Sequence, residues 1–120
     1  MKGTIDASLE NASEIILNDR KEMAEHATIT DLLRNDLSTI SSDVRVERYR
    51  YIERLVTNNK SLLQVSSEIR GILSDEAVES PGDIFLKLLP AGSISGAPKK
   101  KTVEIIKEVE DHNRGYYTGI

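Results

Sequence analysis

Cysteine and tryptophan are absent from this chain of 120 residues, phenylalanine occurs once and proline three times. Without cysteine there is no disulfide framework, no thiol nucleophile and no thiolate metal site, and the composition fits a reducing compartment, with the cytoplasm as the default. Without tryptophan, the core has to be assembled from Leu, Ile, Val and Ala. No apolar run approaches the ~18 residues of a spanning helix, and Met1-Lys2-Gly3-Thr4 does not lead into a signal-type hydrophobic stretch. Neither sign of charge dominates: 16 basic residues face 20 acidic ones, and no aromatic residues are interleaved with basic runs, which argues against a general nucleic-acid surface. Internal repeats and low-complexity segments are lacking as well.

What remains is one soluble domain with 38% hydrophobic and 30% charged residues. Between residue 11 and about residue 40, Ile15, Ile16, Met23, Ala24, Ala27, Leu32, Leu33 and Leu37 recur at three- and four-residue spacings. This pattern predicts a long amphipathic helix, capped by Asn11 or Ser13 and bent near Thr28 to Thr30. Around Asp43 the period changes to two, with Val44 and Val46 alternating with Arg45 and Glu47, and a second alternating run covers residues 61–73. In that run Leu63, Val65, Ile69 and Leu73 share one face, so Gln64, Ser66, Glu68 and Arg70 point to the other. Pro81 opens a short helix that Pro90 stops, residues 91–96 form a loop, and a last helix starts near Pro98 and ends near His112. The tail from Arg114 reads as a strand. The expected fold is α+β, with helices packed on a mainly antiparallel sheet. The chain opens inside a glycine turn and stops with a strand unfinished, which reads as a partial domain over residues 1–120, truncated at both ends.

Ser93-Ile94-Ser95-Gly96-Ala97-Pro98-Lys99-Lys100-Lys101 is the most informative local run. Lysines in a first helical turn oppose the macrodipole unless an anion sits in front of them. Glycine, serine hydroxyls and free turn amides there fit a carboxylate or phosphate cradle, and the run fits equally well a surface helix with solvated lysines. Glu22 and Glu25 share a helix face and suit a hard cation such as Mg2+, although exposed Glu/Lys helices are common and Arg20 and Lys21 stand nearby to pair with them. His26, with no second histidine in range, reads as a packing or hydrogen-bonding residue. Asp31, Arg34, Asn35 and Asp36 read as structural, Arg34 pairing with carboxylates and Asn35 and Asp36 bonding loop backbone.

Together, Met1-Lys2-Gly3-Thr4, Asp19-Arg20-Lys21-Glu22-Met23-Ala24-Glu25-His26, Asp31-Leu32-Leu33-Arg34-Asn35-Asp36, Pro90-Ala91-Gly92-Ser93-Ile94-Ser95-Gly96-Ala97-Pro98-Lys99 and Arg114-Gly115-Tyr116-Tyr117-Thr118-Gly119 resemble the chorismate-utilising enzymes in order and spacing across nearly the whole chain. Within that family, Lys-Gly-Thr is similar to the first motif of aminodeoxychorismate synthase component I, of the para-aminobenzoate branch of folate synthesis, whereas anthranilate synthases typically carry alanine at the position of Lys2. The resemblance implies a fragment of a two-layer chorismate-binding sandwich. It further implies Mg2+-dependent amination of chorismate at C4, with ammonia supplied by a glutamine amidotransferase component.

By that analogy Lys2 is the catalytic nucleophile, adding to C2 with loss of the C4 hydroxyl before ammonia enters at C4 and expels the lysine. Glu25 is then a direct Mg2+ ligand and Glu22 a supporting carboxylate, while Gly3, Thr4, Ser93 and Tyr117 contact substrate. The same bend adds Ser95 and Gly96 to the substrate-binding candidates. Gln64 joins them because it stands where several relatives, including anthranilate synthases, carry an active-site histidine. Full-length members supply a general-acid glutamate upstream and further metal carboxylates downstream, so the isolated chain is expected to be inactive and, with uncovered strand edges, to self-associate. The sibling reading is an anthranilate, isochorismate or salicylate synthase, and the reading from another class is a non-catalytic scaffold or binding module.

Overall fold

The computed structural model describes residues 3–116. The elements run β1 (Thr4–Asp6), α1 (Ala12–Asn18), α2 (Arg20–Ser38), β2 (Ser41–Val56), β3 (Ser61–Leu73), α3 (Asp75–Glu79), α4 (Pro81–Leu88), α5 (Gly92–Ser95) and α6 (Lys99–Val109). The sheet is antiparallel with order β1-β3-β2, so the α+β expectation holds. The β3 bounds coincide with the alternating run, whose Leu63 and Val65 are buried and form the core with Ala12 and Ile16.

The long first helix is in fact two. The break falls at Asp19, not at Thr28 to Thr30: Asp19 is extended (φ −66°, ψ 113°) and its carboxylate accepts from the backbone N–H groups of Lys21 at 2.9 Å and Glu22 at 3.0 Å, capping α2. Thr28 and Thr30 donate their hydroxyls to the carbonyls of Ala24 and His26 inside an unbroken helix. Asn11 precedes α1 in a left-handed conformation (φ 59°) and makes no side-chain cap bond, so neither it nor Ser13, within α1, caps the helix as expected.

Three further corrections concern the second half. Residues 91–96 are not all loop, since α5 occupies four of them, and α3 is an additional turn of helix capped by the Ser74 hydroxyl. The last helix ends at Val109, before His112. Residues 114–116 are not a strand, and the remainder of the expected tail strand, with Tyr117, lies outside the described residues, as does Lys2.

The architecture is open. Its radius of gyration is 17.2 Å, against roughly 14 Å for a closed domain of this length. The accessible surface of 8970 Å2 likewise exceeds the roughly 6500 Å2 expected for the mass. Large apolar side chains accordingly face solvent, among them Phe85 and Leu86 on α4 and Val56 at the end of β2. No helix among the described residues is long and apolar enough to cross a membrane.

Candidate active site

A cavity of 720 Å3 runs along α2 and is lined by Gly3, Glu22, Glu25, His26, Arg50 and Ser93, among others. Members of the first, second and fourth sequence motifs therefore meet at one place. The approach of Gly3 to α2 is close: its φ is +91°, and a Cβ there would lie 2.7 Å from Glu22 Oε2. Only glycine lets the backbone preceding β1 lie against this carboxylate. Glu22 and Glu25 both reach the cavity, and the sole ion pair of Glu25 among the described residues is the exposed one with Lys21 at 3.8 Å.

The bend that carries Ser93 is fixed from below. Asp36, 8% exposed, accepts the backbone N–H of Gly92 at 2.7 Å and pairs with Lys99 Nζ at 2.7 Å. Lys99 also donates to the Leu88 carbonyl. Asp36 thus bonds loop backbone as expected, Arg34 pairs with Asp31, and Asn35 is exposed without a side-chain bond among the described residues. The anion in front of the lysine-rich helix start is, for Lys99, an internal one. Lys101 pairs with Glu104 within α6.

Not every candidate reaches the cavity. Ser95 is buried with its hydroxyl donated to Ala91 O at 3.0 Å, so it is not the free donor of a cradle, and it lines a separate space between α5, α6 and the residues after α6. Gly96 turns the chain with φ +85° toward α6. Thr4 and Gln64 are cross-strand partners. Because Val65 faces the cavity, both belong to the opposite side of the sheet.

Arg50 is a cavity residue that the sequence reading did not single out. It lies within the register irregularity of β2 between Arg48 and Tyr51, with φ +50°. Its Nη2 donates to Leu17 O at 3.0 Å, tying β2 to the end of α1, its backbone N–H donates to Ser67 Oγ at 2.9 Å, and its buried Nε has no partner among the described residues. Ser67 Oγ also meets His26 Nε2 at 2.6 Å, and the His26 ring packs edge-on against Tyr49. The packing role expected for His26 is therefore what the structure shows.

Burial, and then the charge of Arg50, hold the His26 imidazole below its ordinary value. Above about pH 6.5 the ring is neutral in both folded and unfolded chains; as pH falls through that value the unfolded chain takes up a proton first, so stability is lost on acidification. Urea midpoints of the intact protein should fall between pH 7.5 and pH 5.5, and His26→Gln, which still bonds Ser67 and cannot titrate, should flatten that decline. An equal decline in the variant would refute the assignment.

A chorismate binding enzyme family model matches residues 1–120, and the chain belongs to that family. It is 55% identical over its whole length to an uncharacterised PabA-like protein of Pasteurella multocida, of which it covers 37%. Aminodeoxychorismate synthase component 1 of Bacillus subtilis is 42% identical over 112 residues, which are 90% of this chain and 22% of that protein. An anthranilate synthase component 1 of Haloarcula marismortui is 43% identical over 106 residues, 87% of this chain and 20% of that one. The fold matches a solved Bacillus anthracis protein, DhbC, described as a 2,3-dihydroxybenzoate-specific isochorismate synthase, with a TM-score of 0.56 and 20% identity over 93% of this chain and 30% of that one.

Proposed function

We propose that this chain forms part of the chorismate site of an aminodeoxychorismate synthase component I, the enzyme that replaces the C4 hydroxyl of chorismate by an amino group. Overall identity does not separate this reading from an anthranilate synthase, since the two relatives differ by a single percentage point. The observation that carries it is the seat of the first motif: Gly3, directly after Lys2, lies against Glu22 at the mouth of the cavity. The first motif thereby reaches the acidic helix face through its glycine. Ammonia comes, in this reading, from a glutamine amidotransferase component, and the reaction runs in the cytoplasm.

Glu22 and Glu25 offer oxygen donors only, which suits Mg2+. No group of three or more acidic, histidine or cysteine side chains able to hold a metal occurs among the described residues, so the ion's remaining ligands would come from outside them: substrate oxygens, water and the downstream carboxylates that the family resemblance implies. Bound there, Mg2+ supplies positive charge against the substrate's carboxylate. Ser93 also lines the cavity, and Asp36 with Lys99 fixes the backbone of the adjacent Gly92.

The test is product identity. The intact protein, given chorismate, ammonium and Mg2+, should form 4-amino-4-deoxychorismate by mass spectrometry; anthranilate, isochorismate or salicylate would transfer the assignment to a sibling enzyme. Glu25→Ala should raise the Mg2+ concentration at half-saturation about tenfold or more. A non-catalytic scaffold predicts no change.

A further inference from the structure

Two arginines among the described residues are half-buried. Arg114 pairs with Glu110, whereas Arg50, in the wall of the cavity, pairs with no carboxylate among those residues. Its side-chain partners are neutral: Nη2 donates to the carbonyls of Leu17 at 3.0 Å and Ile16 at 3.5 Å, at the end of α1, where a helix offers only partial negative charge. Nε is buried and unbonded, and Nη1, also unbonded among the described residues, is not enclosed. Glu22 and Glu25 line the same cavity, and neither forms an ion pair with Arg50. The Ser67 hydroxyl that accepts the Arg50 backbone N–H also engages His26, whose depressed imidazole is neutral near pH 7 and supplies no counter-charge. The sheet holds this cation at a cost. A non-glycine residue at φ +50° is disfavoured, and the strand gives up its register between Arg48 and Tyr51 around it.

We propose that Arg50 binds a carboxylate of the substrate, the one not taken up at Glu22 and Glu25. The assignment rests on the chorismate-site reading above. Chorismate carries two carboxylates, one on the ring and one on the enolpyruvyl arm. With Mg2+ at the acid pair, the cavity presents positive charge at two separate points; a dicarboxylate answers both, a monocarboxylate only one. In that reading the ring lies beside the first motif, which reaches the cavity at Gly3 against Glu22. The ring carboxylate therefore belongs to the acid pair and the enolpyruvyl carboxylate to Arg50. A guanidinium suits this task because it stays charged and its planar donors match a carboxylate. Anchoring Nη2 on α1 fixes the side chain in advance, so less freedom is lost on binding.

Binding of two ligands to the intact protein, with Mg2+ and without ammonium, tests this. Shikimate shares the ring carboxylate of chorismate and lacks the enolpyruvyl arm. By calorimetry, Arg50→Gln should weaken chorismate binding about tenfold or more and shikimate binding by under about twofold. Arg50→Lys keeps a positive charge and a donor for the Leu17 carbonyl. It should show the same split at smaller size, and it carries the test if the glutamine variant does not fold. An equal loss for both ligands would mean that Arg50 only holds α1 in place, and unchanged chorismate affinity would mean that it meets no ligand; either result overturns the proposal. The product assay above is separate. A sibling product with the split intact would overturn the amination reading and leave Arg50 its role, whereas amination without the split would overturn the role of Arg50 alone.

Discussion

Alanine in place of Lys2 is expected to lower amination of chorismate by the intact protein by about 10^3-fold or more, with chorismate binding little changed, because loss of a covalent nucleophile removes an interaction made only along the reaction path. Arginine at the same position should fail equally. It keeps the positive charge but offers no neutral amine, so the pair of variants separates covalent work from electrostatic attraction of a dicarboxylate substrate. A lysine of ordinary pKa near 10.4 is neutral in only about one molecule in 2500 at pH 7. On the covalent reading the intact enzyme would have to favour the free amine, and kcat/KM should then rise with pH until that amine has lost its proton. Lys2→Arg with near-normal turnover would end the covalent reading, and steady-state assays across pH 6 to 9 would show it.

Asp36→Ala is the second large effect. The substitution leaves Lys99 Nζ, whose side chain is 24% exposed, without its carboxylate, and the buried Gly92 N–H without an acceptor. Removing one partner of such a pair costs about 3 kcal/mol, equivalent to roughly 10^2-fold faster hydrogen exchange at the Gly92 amide. Arg34→Ala breaks the exposed pair with Asp31 and should cost under about 1 kcal/mol. Asp36→Leu combined with Lys99→Met should recover much of the loss, because two apolar side chains leave no stranded charge. Exchange at Gly92 unchanged in Asp36→Ala would show that the bend does not depend on this clamp.

Much of this was open to reading from the chain. The run at residues 61–73 announces β3 because one face of a strand flanked by two others must be buried, and Leu63 and Val65 are. Asp36 was readable as a backbone partner because a carboxylate among helical residues near a glycine-rich bend has few other uses. The helix break at Asp19 also left a sign that periodicity overrode: an Asp followed three residues later by Glu22 matches a capping box. Arg50 left none. It sits in an irregular stretch of β2 with a left-handed backbone, where a charged residue gives no sign in the sequence of lining a cavity. Ser95 misled for a similar reason, since a serine that could hold a ligand and one that closes its own helical turn look alike in sequence.

Helix α2 meets Gly3 through Glu22 near its start and Gly92 through Asp36 near its finish, some fourteen residues or about 21 Å further on. One rigid rod therefore sets the spacing between the two backbone segments that flank the cavity. Deleting a single alanine or threonine between these anchors would keep the helix intact yet swing one anchor by about 100° relative to the other. The length of this rod, counted in residues, is thus a constraint of its own, distinct from the identity of any side chain upon it.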